Sequence, residues 1–268
     1  PVRPRARPAR PPPRPEAVVT KKSDLAAQLL AKIALRHPVP EPLPEATLLE
    51  QGLYAVLLRR LPPDRAQSAL KNLAAAYPDW NEARVSQLQE LSSVLQVGKR
   101  GIESAADVKT FLQEVFQESH GLDIEFMRED ATAAARLVKD LKFLGLAQGH
   151  YLLWLASGGN LPMTAELARV LDRLGLISRT TSIKKASAAV APLLGKSTQL
   201  DFVVRFGEVA SRWCDKKPLC HECVLVDGCK HGKKAFKEWK VQQARLEAQR
   251  KKEEARLEAQ RKKDEARR

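Results

Sequence analysis

Four cysteines, Cys214, Cys220, Cys223 and Cys229, fall within sixteen residues at the spacing C-x5-C-x2-C-x5-C. Thiolates are soft ligands, and four close together suit either one tetrahedral Zn2+ or the four corners of a [4Fe-4S] cluster. Zinc knuckles usually pair two short C-x2-C units across a longer gap. Here a single tight pair, Cys220 and Cys223, is flanked by one cysteine on each side, so the spacing leans toward iron-sulfur and leaves zinc open. Four buried thiols without a ligand fit poorly, because Asp215, Lys216, Lys217 and His221 make the segment polar. In a reducing compartment such a cluster reads as a metal site before it reads as two disulfides.

A second constellation lies upstream. LVKDLKFLGLAQGHYLLWLAS, residues 137–157, reads as helix, short break, helix, with Gly145 in the break. Successive backbone N–H groups at the start of such a second helix can point at a phosphate, with the helix dipole assisting. The candidates are Gly145, Ala147, Gln148 and Gly149; an ordinary helix-helix turn explains the same pattern. His150 offers an acid or base, Asp172 a carboxylate, and Lys139 and Lys142 amines. Each reads equally well as core or solvated surface.

The elements that carry these groups are helical throughout. Leu25, Leu29 and Ile33 step by four after a possible Ser23 cap, with Pro38 ending that helix. Further helical runs are expected near 47–61, 64–76, 82–94, 105–118, 128–142, 147–156, 165–174, 182–194 and 199–213, separated by Pro, Gly, Asn and Asp breaks. No segment alternates as a strand does, so the fold class is all-α. No apolar run exceeds six residues, as at Tyr151 to Ala156, against roughly 20 for a membrane span. The expectation is no membrane partner.

The chain has 268 residues, 46 basic and 32 acidic, for a formal charge of +14. Residues 1–22 hold +6 of it and residues 237–268 hold +5, so the excess sits mostly in two tails. Seven prolines and five arginines among the first sixteen residues favour a solvated, disordered arm over 1–22. This stretch lacks the apolar centre of a secretory signal, so a cytoplasmic, nucleoid-associated location is expected. The other tail repeats an eleven-residue unit, ARLEAQRKKEE from Ala244 and ARLEAQRKKDE from Ala255, with a third copy begun at Ala266. Eleven residues close three helical turns. Ala244, Ala248, Ala255, Ala259 and Ala266 should therefore form a stripe, with Leu246 and Leu257 expected beside it, on a solvated single helix, with a coiled coil as the alternative.

WCDKKPLCHECVLVDGC resembles the iron-sulfur loop of the endonuclease III branch of helix-hairpin-helix (HhH-GPD) DNA glycosylases, in which four cysteines ligate a [4Fe-4S] cluster and the loop presents basic residues to DNA. FLGLAQG, residues 143–149, is similar to that family's L-P-G-V-G hairpin, with Ala147 where the second glycine stands. Arg169, Val170, Arg173, Leu174 and Gly175 in MTAELARVLDRLGL fit its following helix. The resemblance covers about residues 23–236. It implies a two-lobed helical fold: a six-helix lobe over 41–160, and an iron-sulfur lobe joining 23–40 to 161–236. It also implies double-stranded DNA as partner, a monomer, and phosphate contacts at Lys216 and Lys217. The family's first cysteine gap is six residues and here it is five, which reshapes the loop carrying those lysines.

Carried residue by residue, the resemblance removes chemistry. The Schiff-base lysine of bifunctional members matches Gly149, and the carboxylate that stabilises the sugar cation matches Thr164. Losing a preorganised charge of this kind costs several kcal/mol of barrier. The glutamine that fills the gap left by a flipped base matches the region of Leu61, an apolar wedge or a packed core residue. The reading is therefore a catalytically silent endonuclease III relative that binds distorted, damaged or branched DNA. The alternatives are a glycosylase or abasic-site lyase with unorthodox catalytic residues, and a scaffold acting through its tails.

Overall fold

The computed structural model describes residues 15–35, 38–178, 182–194, 198–265 and 267. Among these residues there are α-helices, short 3-10 turns and loops, and no strand, so the fold is all-α.

Helix α1 spans Pro15–Ala31. It begins before the expected Ser23 cap and takes in residues 15–22 of the segment read as a disordered arm. The physical reason is local: Pro15 occupies the first helical position, where its missing N–H costs nothing, and the sixteen residues after it contain no further Pro or Gly. Ser23 is no cap; its hydroxyl donates to the Leu193 carbonyl at 3.1 Å. Residues 1–14, the rest of that arm, lie outside the described residues.

Helix α2 (Leu48–Leu57) opens with a capping box in which Thr47 N–H donates to the Glu50 carboxylate at 2.7 Å and Glu50 N–H to the Thr47 hydroxyl at 3.3 Å. Helix α3 (Pro63–Ala76) follows. The single run expected over 82–94 is two helices, α4 (Trp80–Val85) and α5 (Leu88–Leu95). Ser86 breaks it: its backbone is extended, its hydroxyl donates to the Glu82 carbonyl at 2.9 Å, and its own carbonyl accepts from Lys109. Helix α6 (Gly101–Ser119) begins earlier than its apolar periodicity suggested.

Helices α7 (Ala131–Asp140) and α8 (Gly145–Ala156) form the hairpin; α9 (Ala165–Leu174), α10 (Ile183–Val190), α11 (Gln199–Arg212) and α12 (Lys230–Glu265) complete the order. Helix α8 is surrounded. On successive residues, Gly149 faces Val138 of α7, His150 faces Gly207 of α11, and the Tyr151 hydroxyl donates to Gln51 of α2 at 2.6 Å. The buried side chains make one contiguous cluster running from Ala26 to Cys229, through both expected lobes. Phe111, Tyr151, Phe202 and Phe206 are its largest fully buried members, each contributing about 1.5–3 kcal/mol.

Helix α12 starts at the last cysteine and runs for 36 residues. From Lys240 onward every described side chain is exposed. Leu246 and Leu257 do not lie beside the alanine stripe: two residues of helix turn by about 200°, which puts them on the opposite side, half exposed to solvent. The third repeat starts at Ala266, outside the described residues.

Candidate functional site

The cysteine loop is built on the end of α11. Trp213 closes that helix and is buried; Cys214 N–H donates back to the Val209 carbonyl at 3.0 Å, and Leu219 N–H to the Trp213 carbonyl at 2.8 Å. Cys223 and Val226 continue the loop in tight turns, and Lys233 N–H donates to the Cys229 carbonyl at 2.9 Å, which starts α12. All four cysteines are free thiols, and all four line one small cavity of about 20 Å³. Its remaining walls are mainly apolar, from Val170, Leu174, Val209, Trp213 and Leu225.

Donors already point at two of the sulfurs. Arg173 Nη1 donates to Cys214 Sγ at 3.3 Å, and Gly232 N–H to Cys229 Sγ at 3.2 Å. Burial pushes the Cys223 thiol up to about 11, and Cys220 and Cys229 are raised by burial as well. These thiols are neutral until a cationic group compensates them, so a metal group entering here displaces protons. Four softly basic donors around one apolar chamber, with N–H groups directed at the sulfurs, fit an iron-sulfur cluster. Among the described residues no three His, Cys, Asp or Glu side chains stand close enough together to share a single metal ion.

Two arginines clamp this loop to α9. Arg169 Nε donates to the Cys214 carbonyl at 3.1 Å and its Nη2 reaches Asp215 at 3.4 Å; Arg173 Nη1 donates to the Asp215 carbonyl at 2.7 Å and lies 3.3 Å from the Cys214 carbonyl. Sequence reading placed both arginines in a family frame without this role. Their four-residue spacing on one helical face was the available signal. On the other side His221 stacks on Trp239 of α12, with centroids 4.7 Å apart and planes within 8°. Lys216 and Lys217 are exposed at the loop's tip.

The hairpin places Gly145 at φ +73°, a left-handed conformation that glycine adopts at little cost. Phe143 N–H is held by the Glu114 carboxylate at 2.9 and 3.2 Å, and Arg59 donates to the Phe143 carbonyl at 3.2 Å while its guanidinium lies 4.4 Å above the Phe143 ring. Residues 145–148 line a water-accessible cavity of about 180 Å³, shared with Arg59, Pro38, Pro40, Glu208 and Ser211. The first N–H groups of a helix have no intrahelical partner and carry the positive end of its dipole, so this end of α8 can receive an anion. Among the described residues Arg59 is the cation lining this cavity, and sequence reading did not single it out.

The positions matched to catalytic residues are engaged in packing and capping. A Cβ added at Gly149 would stand 2.4 Å from Val138 Cγ1. The Thr164 hydroxyl caps α9 by accepting Leu167 N–H at 3.2 Å, and it lies 2.9 Å from His150 Nε2. Burial pushes His150 down to about 4, with Glu166 and the Val203 main chain pulling the other way. Its ring is a fully buried packing element, and Nδ1 makes no hydrogen bond of good geometry. Leu61, expected at the flipped-base position, is 5% exposed and belongs to the core, because burying an apolar side chain where α2 ends outweighs displaying it. Asp172 is half-buried on α9, and Lys139 and Lys142 are exposed.

No family model matches the sequence, and no curated protein matches it. Among solved structures the chain is similar to a trapped endonuclease III–DNA covalent intermediate in an estranged-adenine complex, at 17% identity and a TM-score of 0.40 over 82% of this chain and 98% of that one. It is similar to a non-covalent endonuclease III–DNA complex at 16% identity and 0.40, over 83% and 98%. It is also similar to a thermostable thymine-DNA glycosylase at 16% identity and 0.41, over 81% and 99%.

Proposed function

We propose that this chain is a DNA-binding protein of the endonuclease III type that holds distorted, damaged or branched duplex by its backbone and does not excise bases. The observation that carries the reading is the state of Thr164. At the position where an excising relative needs a free carboxylate, an uncharged hydroxyl is committed to the α9 cap and to His150. Gly149, packed on Val138, supplies no amine. What remains is anion-binding geometry: the N-terminus of α8 at its cavity with Arg59 beside it, and Lys216 and Lys217 on a loop fixed to α9 by two arginines.

In this reading Cys214, Cys220, Cys223 and Cys229 hold a [4Fe-4S] cluster, which would cross-link four points of the loop and supply one-electron redox capacity. A single Zn2+, with every sulfur at about 2.3 Å, is the alternative occupant. The two lobes, 41–160 and 23–40 with 161–236, would flank the duplex, with the chain acting as a nucleoid-associated monomer.

The test is binding and base release measured on one panel of duplexes carrying oxidised pyrimidines, mismatched adenine, abasic sites or junctions. Expected is binding without base release, with log affinity falling against log salt by about 0.9 per phosphate contacted. Ala147→Glu, which puts a negative charge at the start of α8, should weaken binding at least tenfold. Base release that disappears in Glu166→Gln or Asp172→Asn would overturn the silent reading. Binding unchanged by Ala147→Glu and by Lys216→Gln with Lys217→Gln would overturn the backbone-contact mechanism.

A further inference from the structure

The exposed part of α12 has two chemically opposite faces. At about 100° per residue, Lys234, Arg245, Lys252, Arg256 and Lys263 fall within about 40° of one another, with Glu238 the one acid among them, while Glu247, Glu254, Glu258 and Glu265 form a stripe about 200° away. The acidic side neutralises itself: Lys251 pairs with Glu247 at 3.0 Å, Lys262 with Glu258 at 2.8 Å, and Arg250 with Glu254 at 3.8 Å. Among the described residues, none of the five cations on the other side has an ion-pair partner. The RKK triplet of the first repeat thus sends Arg250 and Lys251 to carboxylates and that of the second sends Lys262, while Lys252 and Lys263 stay in line with Arg245 and Arg256.

The rotation of this helix is pinned. Gly232 N–H donates to Cys229 Sγ, and Trp239 stacks on His221, which lies between Cys220 and Cys223. Trp239 sits about 120° around the helix from the basic stripe, so the stripe faces away from the cysteine loop. At a rise of 1.5 Å per residue, Lys234 to Lys263 spans about 44 Å, more than one turn of duplex DNA at about 34–36 Å. Ala244, Ala248, Ala255 and Ala259 border the stripe and keep bulky side chains out of the way.

We propose that this stripe is a second duplex-binding surface, laid along the phosphate backbone of a DNA segment other than the one held at α8, so that one chain links two segments. This goes beyond the proposed function and rests on it for the first segment. A second copy of the chain fits the stripe badly. A two-fold pair sets the same face against itself, and pairing basic with acidic stripes is head-to-tail and does not close. An anionic lipid surface fits badly too, since Leu246 and Leu257 lie far around the helix from the cations instead of between them.

The test uses the full chain and two variants with equal charge loss. One is Arg245→Gln, Lys252→Gln, Arg256→Gln and Lys263→Gln; the other is Arg250→Gln, Lys251→Gln, Arg261→Gln and Lys262→Gln. Circular dichroism checks that α12 persists in both. A surface-tethered duplex captures the protein, and capture of a second, labelled duplex is then read, beside the salt slope of duplex binding in solution. The stripe variant should still be captured by the first duplex, lose second-duplex capture at least tenfold, and show a salt slope lower by up to about 3.6. The control variant should keep second-duplex capture within about threefold of the native chain. Equal loss in both variants, unchanged capture in the stripe variant, or tighter binding of the stripe to RNA or anionic vesicles overturns the proposal. Failure of the native chain at the second capture alone strikes the stripe, whereas failure to bind any duplex strikes the proposed function as well.

Discussion

His150 and Thr164 join α8 to the cap of α9 through a 2.9 Å contact between Nε2 and Oγ1. The same oxygen accepts Leu167 N–H. With the neutral ring's proton on Nδ1 the hydroxyl donates to Nε2, and with it on Nε2 the hydroxyl accepts; either way one oxygen bonds both groups. One hydroxyl therefore serves a helix terminus and a buried imidazole together.

Removing that hydroxyl should cost twice. Thr164→Val loses an N-cap, worth about 1 kcal/mol, and leaves a buried ring nitrogen without a partner, worth about 1–3 kcal/mol. The expected loss of about 2–4 kcal/mol is read as a lower urea midpoint at unchanged slope. Thr164→Ser keeps both bonds and should cost less than about 1 kcal/mol. If the two variants are equally stable, the double role is wrong.

The same ring sets a pH dependence. Its pKa is about 4 in the folded chain against an ordinary 6.5, so between these values the unfolded chain takes up a proton that the folded chain refuses. Stability from this group is complete above about pH 6.5 and is lost as the pH falls toward 4, by an amount on the order of 3 kcal/mol. His150→Gln should flatten the folding-stability profile over that interval relative to the native chain. Superimposable profiles would show that the ring titrates normally.

The helices were legible in sequence because their apolar residues repeat at three and four, and the cysteine loop because its four cysteines are close together in the chain. What was missed depends on contacts across long separations. Nothing local to Thr164 reveals a histidine fourteen residues upstream, and nothing in the spacing of Arg169 and Arg173 names the Cys214 and Asp215 carbonyls as their partners. Leu61 illustrates a different limit. An apolar side chain at a position of interest satisfies a wedge and a core equally well until its burial is known. Leu246 and Leu257 are a third case: they are near the alanines in sequence but lie on the far side of the helix.

Gly149 offers a sharper test of whether its position is a vacancy or a packed contact. Val138 is β-branched and stiff, so a Cβ placed 2.4 Å from its Cγ1 forces the helices apart. Gly149→Ala should destabilise by about 1–3 kcal/mol, and adding Val138→Ala should return part of that loss in a double-mutant cycle. Gly149→Lys should form no borohydride-trappable adduct with an abasic duplex. Adduct formation would show that an amine there reaches the sugar and that the site is open.

The arginine clamp makes the last prediction. Arg173 holds the Asp215 carbonyl, the Cys214 carbonyl and the Cys214 sulfur from one nitrogen, and hydrogen bonds from a charged donor contribute about 1.5–3 kcal/mol. Lysine is a point charge on a flexible stem and cannot reproduce that set in a fixed plane. Arg173→Met should therefore free residues 214–219 to exchange amide hydrogens at least tenfold faster, and Arg173→Lys should fall between it and the native chain. Anaerobically purified native protein should absorb visible light and carry about four irons per chain if the thiols hold a [4Fe-4S] cluster, whereas zinc would leave it colourless. Arg173→Met should then lose its colour faster in air than the native protein, and its duplex affinity should fall as the loop bearing Lys216 and Lys217 loosens. Faster exchange with colour and affinity unchanged would mean that the clamp orders the loop without serving either the metal or the DNA.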